Sequence, residues 1–134
     1  MNFSLIGCVI GVFAAQAAMA ADGDRPVLVG RDGPELDACA SVGRVTRPDP
    51  EKDSFLSVYA RPDDSGGEAD RIVGASLVWL CDSDGDWQGI VYPSGPWQDL
   101  GDCRVSSPQH APGPYAGPCR QGWVQARNLE LVAG

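Results

Sequence analysis

The sequence predicts an all-β domain closed into a small barrel. Three observations carry this. Apolar residues alternate along short runs, the runs are separated by Gly, Pro and Asp clusters, and no segment has the length and spacing of an amphipathic helix. A sandwich satisfies the same pattern, but a barrel has the advantage of removing exposed strand edges.

The chain has 134 residues, which suits one domain. Residues 3–20 are apolar except for Ser4 and Gln16 and end in Ala18-Met19-Ala20. That small-x-small ending reads as a signal peptide over residues 1–20, cleaved after Ala20. The alternative is an uncleaved anchor, since the run is close to spanning length. Leu5-Ile6-Gly7-Cys8 has the letters of a lipoprotein box, but Cys8 opens the apolar stretch where a lipidated cysteine follows it.

Residues 21–53 read as an N-terminal extension with an edge strand. Val27–Val29 supplies the short apolar run, and Ser41–Arg47 alternates with Val42 and Val45 as its buried pair. Pro48-Asp49-Pro50 ends that run, because it cannot supply the amides a ladder needs.

Residues 54–134 read as the barrel. In Phe55–Arg61, Leu56, Val58 and Ala60 face inward while Phe55, Ser57 and Tyr59 face outward. Asp63–Ala69 is a polar loop. Leu77–Cys81 is apolar on both faces, so it is a central strand covered on both sides, with Trp79 in the core. Asp82–Asp86 is a hairpin turn, with Asp84-Gly85 taking the positive-φ positions, and Trp87–Tyr92 is the returning strand. Residues 93–121 form a long inserted Gly/Pro loop without obvious core residues. Gly122–Gln125 is a strand, Ala126–Leu129 one short helical turn, and Glu130–Val132 the last strand.

Beyond the leader the chain holds Cys39, Cys81, Cys103 and Cys119. An even count in an exported domain reads as two disulfides. A zinc site is disfavoured, since there is no Cys-x-x-Cys pair and His110 is the only histidine. Four cysteines allow three connectivities. Cys103 and Cys119 bracket the Gly/Pro loop, and joining them removes about 3 kcal/mol of unfolded-state entropy. Cys39 then pairs with Cys81.

A net charge of −8 repels phosphate backbones and anionic head groups, which argues against nucleic acid and membrane surfaces as partners. It suits a cationic partner, or simple solubility. Asp82-Ser83-Asp84-Gly85-Asp86 has calcium-loop letters, but the sixth and twelfth positions of such a loop fall on Trp87 and Pro93. Enzyme chemistry finds little support: His110 has no neighbouring nucleophile, no nucleophile elbow or phosphate loop is present, and nothing in the spacing of the carboxylates selects a hydrolytic pair, so an envelope hydrolase ranks last. No cofactor and no metal is expected.

The order of these motifs resembles the bacterial SH3-like (SH3b) domain. That family opens on a Leu-x-Val-Arg-x-x-Pro type strand, and Leu56-Ser57-Val58-Tyr59-Ala60-Arg61-Pro62 fits it with Tyr59 at the arginine position. Ile72 and Gly74 precede the central strand, Trp87 with Ile90 or Val91 follows the hairpin, and Gly122-Trp123-Val124 with Leu129 closes the set. The match covers about residues 54–131. The resemblance implies an SH3-like barrel that binds a peptide or a cell-wall (peptidoglycan) ligand without catalysis. The 93–121 insertion and the cysteines depart from the family pattern.

Tyr59, Trp87, Trp97, Tyr115 and Trp123 are the candidate ligand contacts. Trp87 and Trp123 begin strands, where half-exposed rings line grooves. Trp97 and Tyr115 lie in the clipped loop, where a fixed aromatic loses little entropy on binding; the alternative is that they fold back and cap the barrel. The expected protein is a periplasmic or secreted binding module whose partner is a peptide, peptidoglycan or an envelope protein. The alternative is an exported acidic inhibitor or immunity protein that neutralises a cationic enzyme.

Overall fold

The computed structural model describes residues 24–46, 51 and 55–134. The segment expected to be a leader, its expected cleavage site, Cys8 and Pro48-Asp49-Pro50 lie outside the described residues. The fold is all-β. In chain order the strands are β1 (Leu28–Val29), β2 (Ser41–Val45), β3 (Phe55–Tyr59), β4 (Glu68–Val73), β5 (Leu77–Asp84), β6 (Trp87–Tyr92), β7 (Gly113–Pro114), β8 (Arg120–Gln125) and β9 (Leu129–Ala133). Two single 3-10 turns, η1 (Leu100–Cys103) and η2 (Ala126–Asn128), complete it.

Seven strands form one sheet in the order β4-β3-β8-β6-β5-β2-β9, and β1 pairs with β7 in a separate ribbon. The sheet is open, which corrects the expected closed barrel: β4 and β9 end it and do not pair with each other. The physical need for closure is met otherwise at one end, because β4 carries Glu68, Asp70 and Arg71, and charges discourage a second chain from adding to an edge.

Both faces of the sheet are covered, and this decides most of the packing. Val45, Leu56, Val58, Ile72, Val78, Ile90, Tyr92 and Val124 form one buried cluster. Val27, Val29, Ala38, Cys39, Cys81, Val91, Cys103, Val105, Tyr115 and Trp123 form the other. Strand alternation sends Ile90 to the first and Val91 to the second, and likewise Val124 and Trp123. The expectation that Leu77–Cys81 is covered on both sides holds for Val78 and Cys81, while Leu77 at the strand start is exposed. Leu56 and Val58 are buried as expected, and Ala60 only partly.

The covering layer comes from segments read as peripheral. Residues 24–39 lie over the sheet, and β1 pairs with Gly113–Pro114 of the long loop. β2 sits inside the sheet between β5 and β9, while the run expected to add an edge strand, at Val27–Val29, pairs with β7 instead. The 93–121 segment is likewise not without core residues, since Cys103, Val105 and Tyr115 are buried. Both disulfides form as expected, Cys39–Cys81 and Cys103–Cys119. The first ties the covering segment to β5, and the second clips the long loop.

Asp82 was read as a turn residue but belongs to β5 and is buried. Its carboxylate accepts hydrogen bonds from the Leu28 amide (3.1 Å), the Ser83 amide (2.8 Å) and the Arg31 guanidinium, fastening the covering segment to the sheet. Asp84 pairs with Arg25. Two of the three acidic residues of 82–86, Asp82 and Asp84, are thus engaged by arginines. The hairpin itself is the two residues Gly85 and Asp86, and Gly85 alone takes a positive φ of 56°, which a glycine does without strain at the first position of such a turn. Asp84, expected to share that role, stays in the strand. The polar loop expected at 63–69 ends earlier, because Glu68 and Ala69 already belong to β4.

Candidate functional site

Tyr59 ends β3 and Trp87 begins β6, on opposite sides of β8 in the sheet. Tyr59 pairs with Trp123 and Trp87 with Gln125. A register shift between Val58 and Tyr59 turns the end of β3. The two rings meet edge to face, with centroids 5.5 Å apart and planes at 87°, the geometry that aromatic quadrupoles favour. Both side chains are half-buried, so each presents one part to solvent and another to the protein.

η2 completes the site. The Ala126 amide donates to the Asp86 carbonyl at 2.8 Å, which seats this turn against the β5–β6 hairpin. Gln125 and Arg127 therefore flank both rings. One hollow of about 260 Å³ is lined by Phe55, Tyr59, Gln125, Arg127 and Asn128 among others. A second of about 380 Å³ is lined by Gly85, Asp86, Trp87, Gln125, Ala126 and Arg127. They share Gln125 and Arg127.

Ordered polar contacts brace β3, β4 and the loop between them. Asp63 accepts from the Ser65 hydroxyl (2.6 Å), the Ser65 amide (2.9 Å) and Arg61 Nε (3.2 Å), which folds the β3–β4 loop on itself. The Ser65 hydroxyl is the largest influence holding the Asp63 carboxyl below its ordinary range; burial opposes it. Glu68 accepts from Ser57 and Arg71, and these two bonds hold its carboxyl down as well. The Arg71 guanidinium lies over the Phe55 ring at 4.3 Å.

The five aromatic candidates separate. Tyr59 and Trp87 come together. Trp123 does not line a groove: it is fully buried, and its indole Nε1 donates to the Arg25 carbonyl at 2.8 Å. Tyr115 is also buried, as in the alternative that it folds back onto the body, and it is not free to act as a ligand contact. Its hydroxyl donates to the Cys103 carbonyl (2.8 Å) and accepts from the Cys119 amide (3.0 Å), pinning both ends of the clipped loop. Trp97 is 96% exposed and stands apart from the groove. Phe55, Gln125, Arg127 and Asn128 were missed. The helical turn that carries Arg127 and Asn128 was readable in the sequence; its docking on the hairpin was not.

The sheet places another polar cluster elsewhere. Tyr92, at the far end of β6 from Trp87, donates to Asp70 at 2.7 Å, and Arg120 donates to the same oxygen at 3.1 Å. Burial, followed by the bond to the Asp70 carboxylate, pushes the Tyr92 hydroxyl far above its ordinary range. Burial pulls the Asp70 carboxyl up, but hydrogen bonds led by that from Tyr92 outweigh it and leave the group lowered. Among the described residues no group of His, Cys, Asp or Glu is arranged to hold a metal ion, and no helix is long and apolar enough to cross a membrane. His110 is exposed in the long loop. No family model, curated protein or solved structure matches the chain.

Proposed function

We propose that this protein is an exported, non-catalytic binding module of SH3b type, and that the Tyr59–Trp87 groove holds an extended peptide or the peptide portion of peptidoglycan. The observation that carries this reading is the meeting of two half-buried rings at 5.5 Å beside two hollows that share Gln125 and Arg127. Rings fixed by strands offer apolar contact at little entropic cost. The Gln125 amide supplies a donor and an acceptor for a backbone, and the exposed Arg127 supplies a partner for a carboxylate. The motif order quoted above supports the family reading. The two disulfides support an oxidising compartment, periplasmic or extracellular.

The test is co-sedimentation with purified peptidoglycan, repeated with an envelope peptide extract. Trp87→Ala removes one wall of the groove, and hot-spot aromatics of this kind cost about 2 kcal/mol, or roughly thirtyfold in affinity. Retention of the native protein on either material, with loss in the variant, is the expected result. Failure of the native protein to bind both would overturn the reading.

A further inference from the structure

The two hollows beside the Tyr59–Trp87 pair differ in charge. Gln125 and Arg127 line both. The second also has the exposed Asp86, at the turn before Trp87. The first, of about 260 Å³, has Phe55, Leu56 and Tyr59 as its apolar wall, and Arg127 is the only charged side chain among the described residues that line it. Ser57 lines it too, but its hydroxyl donates to Glu68, whose carboxylate is paired with Arg71. The first hollow is therefore positive and the second mixed.

The fold leaves the polar groups of the first hollow unspent. Arg25, Arg31, Arg44, Arg61, Arg71 and Arg120 each pair with a carboxylate. Arg127 pairs with none among the described residues, and Arg104, the other such arginine, lines neither hollow. The Gln125 and Asn128 carboxamides have no hydrogen-bond partner among the described residues either. Asn128 is only 9% exposed, and a carboxamide buried without a partner is costly. No fully buried side-chain polar atom among the described residues lacks a partner, so the Asn128 amide opens where that residue lines the hollow. Gln125 ends β8, Arg127 and Asn128 belong to η2, and the bond from the Ala126 amide to the Asp86 carbonyl seats that corner. The three groups are thus placed by backbone that is already fixed.

Their chemistry selects the occupant. A guanidinium offers a fork of N–H donors that matches a carboxylate. Two carboxamides offer the donors and acceptors that a peptide bond needs. The apolar wall suits a side chain between them. A hollow this small is below the range that encloses a whole small molecule, so it takes the end of a longer ligand. Asp86 repels a carboxylate from the second hollow, which sets the direction. Resting on the reading of the groove as a peptide site, we propose that the hollow beside Tyr59 is a carboxylate subsite, and that the ligand is a peptide whose free carboxyl terminus lies there while its preceding residues run past Trp87.

The experiment titrates the protein with a soluble peptidoglycan stem pentapeptide made in two forms, one with a free carboxyl terminus and one with a carboxamide. The free acid is expected to bind roughly tenfold or more tightly. Arg127 is exposed, so its replacement spares the core. Arg127→Gln is expected to bind both forms as weakly as the native protein binds the carboxamide, whereas Trp87→Ala weakens both forms and keeps the preference. Equal affinity of the native protein for the two forms, or a preference that survives Arg127→Gln, would overturn the inference and leave the groove reading in place. Binding of neither form to the native protein would overturn both.

Discussion

Single residues decide where the aromatic surface goes. Gly122 precedes Trp123, and a Cβ built there would lie 2.3 Å from Val58 Cγ1 and 3.0 Å from the Tyr59 carbonyl oxygen. β8 can approach β3 this closely only because that position carries no side chain. Tyr92 illustrates a residue whose role depends on pH. Its raised hydroxyl contributes stability that is present below about pH 10, the ordinary tyrosine value, and lost as pH rises past it. The lowered Asp70 carboxyl contributes above about pH 4 and is lost as pH falls below that. Tyr92→Phe removes a buried hydroxyl bonded to a charged group and is expected to cost about 1 to 2 kcal/mol at neutral pH. Denaturation across pH should show the gap between the two proteins widest between those limits and closing toward alkaline pH. A gap that widens there would contradict the assignment.

At the scale of elements, alternation and turn chemistry read out well. The strands beginning near Phe55, Leu77, Trp87 and Gly122, the helical turn at Ala126 and both disulfide pairs were legible, because each depends on local spacing or on closing one loop. What was not legible shares one cause. Trp123, Tyr115 and Val105 are buried by a layer whose two halves, residues 24–39 and 103–119, meet through the β1–β7 pair, the Asp37–Pro108 bridge and backbone hydrogen bonds such as those from the Cys39 amide to Val105 and from the Tyr115 amide to Val27. Contacts between segments that far apart leave no period in the sequence. Asp82 was opaque for the same reason, since its partner Arg31 is 51 residues away. Replacing Cys103 and Cys119 together by serine opens a loop of sequence separation 16 and is expected to cost about 3 kcal/mol in urea denaturation. The main sheet should survive in the far-ultraviolet circular dichroism spectrum, because Cys103–Cys119 crosslinks only the covering layer. A loss of sheet signal under native conditions would show that this layer and the sheet fold as one inseparable unit.

The whole molecule is an open sheet covered on both faces, with the Tyr59–Trp87 pair at one end of β6 and Trp97 beyond the other. The covering layer and the charges of β4 dispose of surfaces that would otherwise aggregate, and among the described aromatic residues Trp97 is the most exposed while Tyr59 and Trp87 are half-buried. Sequence alone could name the aromatics but could not sort them, because a tryptophan at a strand start looks the same whether its face is covered or bare. The groove is the claim on which the functional account turns, and amide chemical shifts locate it without disturbing the fold. Titrating the labelled protein with soluble peptidoglycan stem peptides should shift the resonances of Tyr59, Trp87, Gln125 and Arg127 together along one saturation curve, with the Trp97 resonances still. Saturable shifts confined to other residues, or none at all, would contradict the account.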